Sequence, residues 1–181
     1  ESKAGFVSLR EPAITAWTDW RGPSRKGFVP QLPRQLPANP KRLWSAALTG
    51  PAMAGPAATA QFVIVPDKTA DATRDLFRCL SAADGKELWR LEYAAPDELD
   101  YSNAPRATPV IHDGLVYLQG ALGHLHCVAL ATGKVLWRAH LFDDFRVPRL
   151  TWGASVSPLV LDDKLIIAPG PAFNVPACGA V

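Results

Sequence analysis

The sequence predicts an all-β fold, a partial β-propeller built of four-stranded antiparallel blades. Three observations predict it: a segment that occurs twice at fixed spacing, a hairpin pattern beside each copy, and no sustained helical periodicity. The segment is FRCLSAADGKELW at residues 77–89 and LHCVALATGKVLW at residues 125–137, 48 positions later (125 − 77). A period of about 48 residues is typical of a propeller blade with four strands.

Each copy of the segment predicts two short strands joined by a tight turn. The first strand is apolar on both faces, which indicates a strand packed between two layers. Glycine supplies the positive φ that such a turn needs. A tryptophan follows each glycine by four positions, and we expect this large ring to fill the gap where neighbouring blades stack. The signature of the repeat is Gly85, Lys86, Trp89, Gly133, Lys134 and Trp137.

A second pattern supplies the other two strands of each blade. Residues 107–118 predict a strand, an Asp-Gly turn and another strand, because Asp-Gly between apolar runs is a strong hairpin signal. The pattern returns over residues 156–167, and a weaker version lies at residues 55–65. The chain therefore contains about two and a half units of four strands each.

These units divide the chain. Residues 1–40 are expected to form an N-terminal arm that is Pro-rich and extended from about residue 21, since this density of proline excludes regular helix and most strand pairing. Residues 41–181 are expected to form the partial propeller. Its parts are a closing-type strand with Trp44 at 41–50, a blade at 51–95, a blade at 104–142, an incomplete blade at 152–170 and an irregular tail at 171–181.

The repeat signature resembles the PQQ-like (pyrroloquinoline-quinone-type) β-propeller repeat over roughly residues 17–170. That repeat occurs in quinoprotein dehydrogenases and in non-enzymatic propellers such as the outer-membrane assembly lipoprotein BamB. The opening segment, residues 17–27, is similar to that of secreted planctomycete-type bacterial members. The resemblance implies a periplasmic or secreted location. Family members usually carry Asp four residues before the turn glycine, where this chain has Ser81 and Ala129.

Composition argues against several classes of partner. The 19 Lys and Arg residues are scattered with no run longer than two, so no nucleic-acid partner is predicted. No apolar stretch of about 18 residues occurs, so no membrane span is predicted. Residues 1–6 lack the charged start and apolar core of a signal peptide. Two of the three cysteines, Cys79 and Cys127, are at equivalent repeat positions, which favours buried core residues over a disulfide framework.

The sharpest metal-site candidates are His124 and His126. Side chains two positions apart on a strand point to the same face, and such pairs can bind zinc or copper. A site needs a third ligand, and the spacing of His112 and His140 does not predict either of them to lie nearby. We therefore predict no metal site and interpret the pair as partly buried residues of the blade packing.

Three aspartates between residues 67 and 75 raise the question of a calcium loop. Asp67, Asp71 and Asp75 are spaced by four residues, but they lack the Asp-x-Asp-x-Asp-Gly order and the closing Glu of such a loop. We expect a solvated hairpin loop instead.

No catalytic motif is recognisable. The sequence has neither a Gly-x-Ser-x-Gly nor a Gly-x-x-x-x-Gly-Lys pattern. By the resemblance, a quinoprotein dehydrogenase would carry two adjacent cysteines, a tryptophan floor, a calcium ion and an aspartate base. No Cys-Cys pair occurs here, so no bound cofactor is predicted. Only the family resemblance suggests PQQ as a cofactor.

The predicted function is therefore a non-catalytic scaffold or protein-interaction module. The resemblance implies a ring of about seven or eight blades, so this chain is expected to be a truncated piece of a larger propeller. Its partners would be other proteins or the missing blades. A fragment of a PQQ-dependent oxidoreductase is the alternative, and a degenerate remnant without function is a third possibility.

Overall fold

The computed structural model of the protein describes residues 16–22, 24–29, 35 and 37–168. These residues contain ten strands and one helical turn, α1 (Leu141–Asp144). The strands are β1 (Ala57–Ala58), β2 (Phe62–Lys68), β3 (Arg74–Ser81), β4 (Glu87–Ala94), β5 (Val110–His112), β6 (Leu115–Gln119), β7 (His124–Ala129), β8 (Val135–His140), β9 (Leu159–Leu161) and β10 (Lys164–Ile166). The predicted all-β fold class is confirmed.

The strands form two complete four-stranded sheets and one hairpin, and every strand pair is antiparallel. The first blade has the order β1-β2-β3-β4 and the second has the order β5-β6-β7-β8. The third hairpin pairs β9 with β10. The first strands of the blades contact one another in sequence, β1 with β5 and β5 with β9. This is the arrangement of consecutive blades around a propeller axis.

The main core lies between the first two blades. Strand β3 is buried on both faces, as its continuous apolar run predicts. The buried side chains of this core come from both sheets: Ala57, Ile64, Phe77, Cys79, Ile111, Val116, Leu118, Val128 and Leu130. Burial of this apolar surface is the main force that holds one blade against the next.

The tryptophan of the first blade binds the turn of the second. The Trp89 ring lies directly over Gly133, where an added Cβ would come within 2.8 Å of the ring. The Trp89 indole Nε1 also donates to the Leu130 carbonyl at 2.8 Å. Gly133 therefore serves twice, because its φ of +73° favours glycine and its missing side chain leaves room for the ring.

The same contact recurs one unit earlier, but it does not recur one unit later. Trp44 lies over Gly85 and donates from its indole Nε1 to the Ala82 carbonyl at 2.9 Å. Trp137 is 41% exposed, and no glycine turn of a following blade lies against its ring within the described residues. Among the described residues, the Trp137 ring therefore has no glycine turn of the kind that Trp44 and Trp89 contact.

The segment that carries Trp44 is not a strand. Residues 41–50 pair with no described strand, so the expected closing-type strand is absent there. The segment is held by side chains of the first blade instead: Asp67 accepts from the backbone N–H groups of Thr49 and Gly50, and Arg78 donates to the Ala47 carbonyl.

The N-terminal residues that the structure describes also differ from the expected extended arm. Residues 19–22 and 24–27 form turns closed by backbone hydrogen bonds, including Gly22 N–H to Asp19 and Gly27 N–H to Arg21. The predicted tail at 171–181, with Cys178, and the start of the arm at 1–15 lie outside the described residues.

The third hairpin is held by a second, smaller apolar cluster. Helical turn α1 follows β8 directly and places its apolar side chains against the hairpin. The buried members of the cluster are Leu125, Leu141, Phe142, Val147, Ala154 and Ile167. No helix among the described residues has the length and apolar character needed to cross a membrane.

Candidate functional site

A buried polar cluster lies at one end of the interface between the first and second blades. At its centre Lys68 Nζ lies 2.7 Å from Asp75 Oδ1, and both side chains are 0% exposed. The two residues are direct partners across β2 and β3. Lys68 Nζ also donates to the carbonyls of Ala95 and Asn103 at 3.1 and 3.2 Å. All three ammonium protons therefore have acceptors, which a buried charge requires.

Tyr93 connects this ion pair to the second blade. Its hydroxyl donates to Asp75 Oδ2 at 3.0 Å. Its ring stacks on His126 at a centroid distance of 4.6 Å and lies tilted against His124 at 4.7 Å. Burial raises the pKa of Asp75, although Lys68 and Tyr93 act against the shift. Burial, followed by the charge of Asp75, raises the pKa of Tyr93 well above its usual value. Tyr93 therefore remains a protonated donor at every physiological pH.

The two candidate histidines do share a face, and a third histidine joins them. His140 is the direct cross-strand partner of His124, with ring centroids 4.7 Å apart in an edge-on arrangement. The sequence spacing does not predict that His140 lies beside His124, and the structure shows that it does. His140 Nδ1 also lies 3.0 Å from Asp143 Oδ2. Burial, and then the neighbouring His140, lowers the pKa of His124.

A cavity of about 320 Å³ opens beside this histidine pair. His124 and His140 line it together with acidic and basic side chains, and Arg149 crosses its rim to pair with Asp97 at 3.0 Å. Among the described residues, no group of three or more histidine, cysteine or acidic side chains could hold a metal ion. Two imidazoles alone do not complete a zinc site, which takes at least three protein ligands.

The aspartates near residues 67–75 do not form the solvated loop that we expected. Asp67 and Asp75 are both fully buried, at the ends of β2 and β3, and only Asp71 lies in an exposed turn. Burial acts to raise the pKa of Asp67, but backbone N–H donors from Thr49, Gly50 and Lys68 outweigh it and the pKa is lowered. Asp67 is therefore a charged anchor for the preceding segment.

The described residues do not fit the quinone site that the resemblance would require. Cys79 and Cys127 are free and buried on separate blades, so they form no ring of adjacent cysteines. Burial raises the pKa of Cys79 to about 11, which makes its thiol unreactive. The rings of Trp44 and Trp89 are used at glycine turns, where neither is free to form the floor of a ligand site.

His126 makes the stability of this interface dependent on pH. Burial, followed by His124 and Arg138, lowers its pKa from 6.5 to about 4. Between these pH values the unfolded chain binds a proton that the folded chain does not, so stability is lost as pH falls from 7 to 4. This difference corresponds to about 3 kcal/mol.

We therefore expect His126→Leu to lose less stability than the wild type when the pH falls. Urea unfolding at pH 7 and at pH 4.5 gives the change in the free energy of unfolding for each protein. His112→Leu, at an exposed position of the second blade, tests whether the loss of any histidine gives the same effect. Equal pH dependence of the wild type and His126→Leu would contradict the assignment.

Blades with a repeated tryptophan-on-glycine contact define the chain as a repeat protein of the β-propeller class. Its family follows from comparison: a family model described as outer membrane protein assembly factor BamB matches residues 36–171, so the chain belongs to this PQQ-like propeller family. A comparison with curated proteins found no match.

Solved structures agree with the fold. The chain is similar to a quinohemoprotein alcohol dehydrogenase from Pseudomonas putida, with a TM-score of 0.51, 19% identity, and coverage of 71% of this chain and 18% of that one. BamB from Moraxella catarrhalis has a TM-score of 0.49 and 23% identity, with 70% of this chain and 33% of that one covered. The quinohemoprotein alcohol dehydrogenase from Comamonas testosteroni has a TM-score of 0.49 and 18% identity, with coverage of 68% and 18%. The chain thus spans between 18% and 33% of these proteins.

Proposed function

We propose that the chain is a non-catalytic part of a larger extracytoplasmic propeller that serves as a scaffold or protein-interaction module. The observation that carries this proposal is that the repeated residues pack one blade against the next. Trp44 and Trp89 bind glycine turns, and the buried ion pair of the first blade is closed by Tyr93 and backbone carbonyls. These groups stabilise the stack of blades, as expected of residues that serve the fold and not a reaction.

Two further points support protein contact. Leu88 and Leu136 occupy equivalent repeat positions on the last strand of each blade, where they are 51% and 48% exposed. Apolar residues repeated on an exposed strand are not explained by core packing, and they suit a protein partner. The family description, an outer-membrane assembly factor, supports an extracytoplasmic location and a role in protein assembly.

The alternative is a fragment of a PQQ-dependent oxidoreductase. Its support is the likeness to a quinohemoprotein alcohol dehydrogenase, which concerns the fold. In this alternative, residues of this chain bind the quinone.

A fluorescence titration separates the two functions. The six tryptophans of the chain report on a quinone that binds near them. Pyrroloquinoline quinone added with calcium should give only the linear quenching of an inner-filter effect, equal to that of the chain unfolded in urea. An apo quinohemoprotein dehydrogenase provides the positive control. Saturable quenching of the folded chain, absent from the unfolded one, would replace the scaffold proposal with the oxidoreductase alternative.

A further inference from the structure

The N-terminal segment described at residues 16–22 and 24–29 contacts all three blades in turn. Trp17 forms an antiparallel bridge with Ala58, with N–H to O distances of 2.7 and 2.8 Å in the two directions. Ala58 lies in β1, which is the outermost strand on its side of the first sheet. The bridge therefore covers the edge of β1 that β2 leaves unpaired.

The next residue reaches the second blade. The Thr18 carbonyl accepts a hydrogen bond from the Ile111 N–H at 2.8 Å. Ile111 lies in β5, the edge strand of the second sheet. Trp17 and Thr18 thus hydrogen-bond to backbone groups of β1 and β5, the first strands of two consecutive blades.

Arg25 then reaches the third hairpin. Its Nη1 donates to the Pro158 carbonyl at 3.2 Å and its Nη2 donates to the Ser157 carbonyl at 3.1 Å, immediately before β9. Asp19 lies 3.7 Å from Arg25 Nε on the other side of the guanidinium. The backbone of Arg25 has a φ of +56°, which is uncommon for a residue with a side chain and persists where surrounding contacts fix it.

We propose that residues 17–22, 24 and 25 form an intramolecular clasp that ties the first strands of three consecutive blades together, with Arg25 as the residue that holds the third hairpin. The guanidinium suits this role because its planar fork delivers two donors to two carbonyls at once. The hairpin has few other polar links to the second blade. They include the Thr108 N–H to Ser157 Oγ at 2.9 Å and the Gln119 Nε2 to the Val156 carbonyl at 3.1 Å.

Hydrogen exchange with mass spectrometry tests the clasp on the whole chain. In Arg25→Ala, backbone amides of residues 157–167 should exchange about tenfold faster, because the loss of two charge-assisted hydrogen bonds makes local opening of the hairpin easier. Amides of residues 62–68 in the first blade should keep their wild-type rates.

Arg21 provides the matched control. It is the other arginine of the segment with a positive φ, and it also lies beside the Trp20 ring. Among the described residues, its side chain donates to the Lys26 carbonyl, within the segment. Arg21→Ala should leave exchange of the hairpin unchanged. Arg25→Lys keeps the charge but loses the fork, so its hairpin should exchange at an intermediate rate.

Three outcomes would overturn the clasp. They are equal exchange of the hairpin in Arg25→Ala and the wild type, equal acceleration in Arg25→Ala and Arg21→Ala, and a uniform acceleration of all blades. If Arg25→Ala does not fold, Arg25→Lys decides, and wild-type exchange of its hairpin contradicts the proposal.

Discussion

Replacing Lys68 with methionine is expected to lower the free energy of unfolding by about 3–5 kcal/mol. The substitution removes the ammonium but leaves Asp75 fully buried, with the Tyr93 hydroxyl as its remaining side-chain partner. The Asn103 carbonyl also loses the ammonium donor, and the Ala95 carbonyl keeps the Asn103 Nδ2 donor at 3.3 Å. Leaving a buried carboxylate without its charged partner lowers the free energy of unfolding far more than removing an exposed charge does. Urea unfolding followed by far-ultraviolet circular dichroism measures the loss.

Two variants provide the controls for Lys68→Met. Lys86→Met removes an ammonium that is 82% exposed beside Asp84, and it should change stability by less than about 0.5 kcal/mol. The double variant Lys68→Met, Asp75→Leu removes both charges and should recover a large part of the loss. A loss below about 1 kcal/mol in Lys68→Met, or a double variant less stable than either single one, would show that the ion pair does not stabilise the blade interface.

The sequence predicted the blades because their packing repeats. A spacing of 48 residues identified the strands, the glycine turns and the tryptophans before any contact was known. The ion pair escaped this reasoning because it does not repeat. At the same spacing Asp75 corresponds to Gly123 and Tyr93 corresponds to Leu141, so the second blade carries no trace of the cluster. The aspartates at residues 67–75 are predicted to be solvated because loops generally lie at the protein surface.

The histidine pair could have been found from the hairpin itself. His124 and His140 lie at equal distance from Thr132, which is in the turn between β7 and β8 (132 − 124 = 140 − 132). A regular hairpin brings such residues together, although the irregularity between Cys127 and Val128 shifts the register on the way. The clasp cannot be predicted in this way, since the contacts of Trp17, Thr18 and Arg25 with three separate blades depend on the tertiary fold.

Replacing Trp89 with alanine is expected to lower the free energy of unfolding by about 3 kcal/mol. The substitution removes a large ring from the interface between two blades and leaves the Leu130 carbonyl without its donor. Trp137 is the matched control, because it holds the same position in the next repeat but is 41% exposed. Trp137→Ala should lower the free energy of unfolding by less than about 1 kcal/mol. Circular dichroism measures both without relying on tryptophan emission.

Substituting Gly133, which lies beneath the Trp89 ring, separates the effect of the tryptophan contact from the effect of the left-handed turn. Gly133→Ala places a Cβ 2.8 Å from the Trp89 ring at a φ of +73°, whereas Gly114→Ala has a φ of +75° with no atom within 4 Å. Gly114→Ala should therefore cost only the left-handed backbone term, about 1–2 kcal/mol, and Gly133→Ala should cost more. Equal losses at the two glycines, or equal losses at the two tryptophans, would mean that this contact does not hold the blades together. A larger loss at Gly133 than at Gly114, together with a larger loss at Trp89 than at Trp137, would show that the repeated residues are those that bind one blade to the next.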